Sequence, residues 1–72
     1  MAGHQKGLFM ALATVHDRAV RKAILSMGGK SIADIEALTG LSKDQAEASL
    51  GRLFRNGEAR LSRRGLWYPL PL

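Results

Sequence analysis

Between Ser31 and Gln45 the chain carries two helix starts and one helix stop in fifteen residues, "SIADIEALTGLSKDQ". Ser31 is followed three residues later by Asp34, and Ser42 by Gln45. In each pair the serine hydroxyl can accept from the third amide of a helix, while the longer side chain reaches back to the serine amide. Gly40 lies between them, where a helix terminus favours a left-handed residue. Two short helices joined by so few residues must make a sharp turn. The pattern predicts helix two at about 32–39 and helix three at about 43–56, the latter closed by Asn56-Gly57.

The flanks extend this reading. Val20, Ala23, Ile24 and Met27 recur at helical spacing within "DRAVRKAILSM", and Gly28-Gly29 stops the run. Helix one is therefore expected over about 15–28. A start near Leu8 stays open, because Leu8, Leu12, His16 and Val20 also share a helical stripe, whereas Thr14 with Asp17 resembles a cap. Residues 1–7, "MAGHQKG", read as a flexible lead-in to a single domain over 8–72. The expected inward positions are Ile32, Ile35 and Leu38 on helix two and Ala46, Leu50, Leu53 and Phe54 on helix three. Ala46 is small enough to let Leu41 sit at a close crossing.

Beyond Gly57, "EARLS" and "LWYPL" alternate with period two around "RRG", which predicts a hairpin over about 58–70. In its second strand Leu66, Tyr68 and Leu70 share one face, taken as the core side, with Trp67 on the other. Pro69 lacks an amide donor and marks that strand as an edge.

A 72-residue chain without cysteine can use neither disulfides nor a thiolate zinc site, so its small core must form by packing. The 46% hydrophobic share is globular rather than disordered. The net charge of +5 is uneven: residues 52–72 hold five arginines against Glu58, net +4, leaving +1 for residues 1–51. Clustered arginine points to a polyanionic partner. The apolar run "LFMALATV" is far short of the ~20 residues that span a bilayer, and a cytoplasmic, nucleoid-associated protein is expected.

Helix, helix-turn-helix through "SIADIEALTGLSKDQAEASLGRL", then a glycine-terminated third helix entering a hairpin that ends "WYPL": this order resembles the winged helix-turn-helix domain of bacterial and archaeal transcription regulators over roughly residues 17–70. The expected fold class is mainly α with a small β-hairpin. A bare three-helix bundle with a C-terminal tail is the plainer alternative. The resemblance implies a small transcriptional regulator or DNA-organising factor that binds double-stranded DNA, with helix three in the major groove and the hairpin, or wing, on the backbone or in the minor groove.

On helix three the candidate DNA-contacting residues are Lys43, Gln45, Ala48, Arg52 and Arg55. Gln pairs well with adenine and Arg with guanine, and Ala48 with Gly51 keeps the face flat. Asp44 and Glu47 on the same surface oppose phosphate and are better explained as helix-dipole partners or solvated acids. On the wing the candidates are Arg60, Arg63 and Arg64, since arginine suits narrow grooves. Leu8, Phe9, Leu12 and Trp67 are the candidates for a partner or homodimer contact, and a dimer would place two reading helices about one helical turn apart. A rival reading is a winged-helix protein-interaction module within a larger assembly.

Other chemistry finds little footing. "GGKS" lacks the leading glycine and preceding strand of a phosphate loop. His4 and His16 have no supporting ligands, so no metal is expected. The serines lack a base, and neither an enzyme nor a cofactor is expected.

Overall fold

The computed structural model describes residues 2–26 and 29–70, with side chains from Ala13 onward. Three helices and a two-stranded antiparallel sheet follow in the order α1 (Ala2–Leu25), α2 (Ile32–Thr39), α3 (Lys43–Arg55), β1 (Ala59–Leu61) and β2 (Trp67–Pro69). This is the expected class, mainly α with a small hairpin, and the layout is compatible with a winged helix.

Both serine caps form as read. The Ser31 hydroxyl accepts from the Asp34 amide at 3.1 Å while the Asp34 carboxylate accepts from the Ser31 amide at 3.1 Å. Ser42 and Gln45 reciprocate at 3.2 and 3.0 Å. Between the helices Gly40 adopts φ 75° and its amide donates to the Glu36 carbonyl. The Thr39 hydroxyl donates to Ile35 at 2.6 Å and accepts from Leu41 at 3.2 Å. The turn thus satisfies carbonyls that a helix end leaves open.

Helix one departs from its expected bounds at both ends. It starts at Ala2 rather than near residue 8 or 15, so residues 2–7 are helical, and it stops at Leu25. No proline interrupts residues 2–25, and Gly3 and Gly7 each cost only about 1 kcal/mol in a helix interior. Thr14 therefore lies within the helix rather than capping it. At the other end the Ser26 hydroxyl donates to the Ala23 carbonyl at 2.8 Å. Met27, Gly28, Pro71 and Leu72 lie outside the described residues, as do the side chains of His4, Leu8, Phe9 and Leu12.

The core is built from Val20, Ala23 and Ile24 of α1, Ile35 of α2, Ala46, Leu50 and Leu53 of α3, and Ala59 at the foot of the hairpin. Ile32, Leu41 and Trp67 pack against it, partly buried. Each large aliphatic side chain here contributes about 1.5–3 kcal/mol by leaving water. Two expected core residues do not belong to it: Leu38 is 59% exposed and Phe54 is 56% exposed. Leu38 instead walls a surface depression with Ala19 and Ala23 of α1 and with Ser26 just beyond it. The inward stripe of α3 runs through Ala46, Ser49, Leu50 and Leu53, and Phe54 falls at its margin.

The strand pairing reverses the expected faces of the hairpin. Cα partners are Ala59 with Pro69, Arg60 with Tyr68 and Leu61 with Trp67. Ala59 is buried and Trp67 packs on the core, so their face turns inward at the foot of the hairpin, while Leu61 towards the tip is exposed and Tyr68 shares the opposite face with Arg60. Period two groups the residues correctly but does not say which group turns inward. The large indole takes the inward position and packs against the core.

Nor is β2 an edge. The Lys30 amide donates to the Trp67 carbonyl at 3.0 Å, and the Trp67 amide donates to the Lys30 carbonyl at 2.8 Å. This isolated bridge flanks β2 on the side away from β1. Pro69 lies two residues past Trp67, so its nitrogen faces the same side beyond the bridge, and no ladder bond is lost.

Candidate nucleic-acid interface

The hairpin tip follows from one glycine. The Gly65 amide donates to the Ser62 carbonyl at 3.0 Å, and the Ser62 amide donates to the Leu66 carbonyl at 2.8 Å. Gly65 takes φ 79°, the left-handed residue that closes a three-residue loop after a type I turn. The Ser62 hydroxyl also accepts from the Leu66 amide at 3.2 Å. Arg63 and Arg64 are thereby held at the centre of the turn, both exposed, and neither pairs with a carboxylate among the described residues.

Arg60 lies on the adjoining strand with its guanidinium 4.9 Å from the centroid of the Tyr68 ring. The two residues are directly opposed in the register, and the ring face attracts the cation. Tyr68 is itself seated closely over Gly29: a Cβ at Gly29 would come within 2.6 Å of the Tyr68 ring and 2.7 Å of Leu66 Cβ. The bare backbone of Gly29 therefore lets the Tyr68 ring settle beneath Arg60. All three wing arginines are exposed, one on the strand and two at the tip.

Helix three is different. Of its five candidate contact residues, Arg52 is turned away to α1. Its Nε donates to both oxygens of Asp17 at 3.1 Å, and Nη2 donates to Asp17 Oδ1 at 2.9 Å and to Ser49 Oγ at 3.1 Å. The pair is largely shielded, with side-chain exposures of 33% and 23%. Gln45 has its carbonyl oxygen committed to the Ser42 amide as the reciprocal half of the capping box. Lys43 pairs with Glu47 at 3.9 Å, an exposed contact that contributes about 0.3–0.5 kcal/mol. Ala48 and Arg55 remain exposed, as does Asp44.

Trp67 is not an exposed partner contact, since its indole packs against the core and its backbone is paired on Lys30. Arg21 of α1 forms an ion pair with Glu58 at 3.4 Å, which neutralises the one acid near the wing. Ser49 is fully buried as the Arg52 acceptor and joins the inward stripe of α3 beside the expected Ala46, Leu50 and Leu53. Its spacing of three from Ala46 and four from Leu53 signals that place in the stripe. Asp17, Gly29 and Lys30 have no comparable local signal, because their partners are remote in sequence.

The Asp34 carboxyl is held below its ordinary value by the Ser31 amide first and the Ser31 hydroxyl second, with Lys30 adding a smaller attraction. This is cap chemistry. Among the described residues no cluster of His, Asp and Glu could hold a metal ion, and no helix is long and apolar enough to cross a membrane. No protein-family model, curated protein or solved structure matches the chain at a significant level.

Proposed function

We propose that this protein binds double-stranded DNA, as a small transcriptional regulator or DNA-organising factor, with the wing supplying the main contact. The observation that carries this reading is the Arg63-Arg64 turn: two exposed guanidinium groups at a hairpin tip, without a carboxylate partner, beside Arg60 on the same hairpin. Phosphate neutralisation by such groups supplies most of the affinity of a DNA-binding protein before any base is read. Arginine at a narrow tip also suits a minor groove. Helix three, with Arg55 at its C-terminal end, would lie along the duplex as the winged-helix resemblance implies.

The test is a fluorescence anisotropy titration of labelled mixed-sequence duplex at low and moderate salt. The protein should bind at low salt, and Arg63→Glu with Arg64→Glu should abolish binding while circular dichroism stays unchanged. A double variant that binds as the parent does would refute the wing assignment.

A second reading is a protein-interaction module, which the exposed apolar side chains Val15, Leu25, Leu38, Phe54 and Leu61 favour. Light scattering across a range of protein concentrations tests it: a rising mass would favour self-association, and failure to bind duplex at low salt would favour a different protein partner.

A further inference from the structure

We infer that duplex binding by this protein is largely independent of base sequence, because the side chains of helix three best suited to reading bases are occupied within the chain. This rests on the proposed DNA-binding function and names the class of target: duplex DNA recognised by backbone and groove shape. Base edges are read by donors and acceptors near the N-terminal part of a groove-lying helix, through bidentate pairs from Arg, Asn or Gln.

Here those groups have other partners. The Gln45 carbonyl oxygen holds the Ser42 amide, so a bidentate pair with adenine would compete with the reciprocal bond of the capping box. The fork of Arg52 is closed on Asp17 and Ser49. Lys43, paired with Glu47, is a point charge without a fork, and Asp44 and Glu47 place two carboxylates on the approach surface. Arg55 stands in the last turn of the 13-residue helix, roughly 18 Å of rise from its start, and reaches phosphate rather than the bases under the N-terminal turns. The exposed wing arginines are contacts that position a protein on any duplex.

The experiment measures dissociation constants by anisotropy, at one fixed low salt, for several unrelated duplexes of equal length, together with selection from a randomised pool. The expected result is a spread within about threefold and no enriched motif, against the roughly thousandfold or greater preference of a sequence-specific protein. Glu47→Gln is the companion variant, chosen because it removes an exposed charge and leaves the core intact. It should tighten binding by about twofold to fivefold on every duplex alike. An enriched motif bound more than about tenfold tighter, or a Glu47→Gln gain confined to one sequence, overturns this inference while leaving DNA binding standing. Failure to bind any duplex at low salt overturns both.

Discussion

Arg52 of α3 grips Asp17 of α1 across thirty-five residues of sequence, with guanidinium nitrogens 2.9 and 3.1 Å from the carboxylate oxygens. The contact joins the first helix to the third, and the same guanidinium satisfies buried Ser49. A residue that looks like a guanine reader on the helix surface is thus a brace inside the fold.

Removing the brace should therefore cost stability rather than DNA affinity. Arg52→Ala is expected to lower the unfolding free energy by about 1.5–3 kcal/mol, the range for hydrogen bonds to charged groups. Arg52→Lys should recover less than half, because an ammonium cannot reproduce the fork. Urea unfolding measures the loss, and the salt dependence of duplex binding should stay at the parental slope.

The glycines separate by environment. Gly29→Ala should destabilise by about 1–3 kcal/mol, since its new methyl would meet the Tyr68 ring and Leu66. Gly51→Ala meets nothing within 4 Å in the middle of α3 and should stabilise by about 0.5–1 kcal/mol. Thermal unfolding of the two variants should give shifts of opposite sign.

Local chemistry was legible and remote chemistry was not. Ser31, Asp34, Ser42, Gln45 and Gly40 interact with residues a few positions away, so their roles can be read from spacing alone. Asp17 with Arg52 and Lys30 with Trp67 pair over more than thirty residues, and nothing in either neighbourhood announces the partner. Leu38 and Phe54 sit on the margins of helical stripes, where periodicity does not decide between core and water. At the wing, alternation grouped Trp67 apart from Tyr68 correctly. The inward choice depended on which face α3 delivers through buried Ala59.

The core assignment yields its own contrast. Leu50→Ala should cost about 2–5 kcal/mol because it opens a cavity at a fully buried position. Phe54→Ser and Leu38→Ser, at exposed positions, should change stability by less than about 1 kcal/mol each. Denaturant midpoints for the three variants, compared at constant slope, decide it.

Asp34 links stability to acid. Its folded carboxyl titrates below the ordinary 3.8, so the unfolded chain binds the proton more readily. The stabilisation is fully present above the ordinary value and is lost as pH falls through the lower folded value. Asp34→Ala should flatten this part of the acid limb of an unfolding free energy against pH curve. A variant whose acid limb is as steep as the parent's would show that another carboxylate carries the effect.

The salt dependence of duplex binding tests the wing most directly. The slope of log affinity against log salt should flatten by about 1.8 when Arg63 and Arg64 are both replaced by Gln, which is two phosphate contacts at about 0.9 each. A slope equal to the parental value, with the fold intact, would contradict the account.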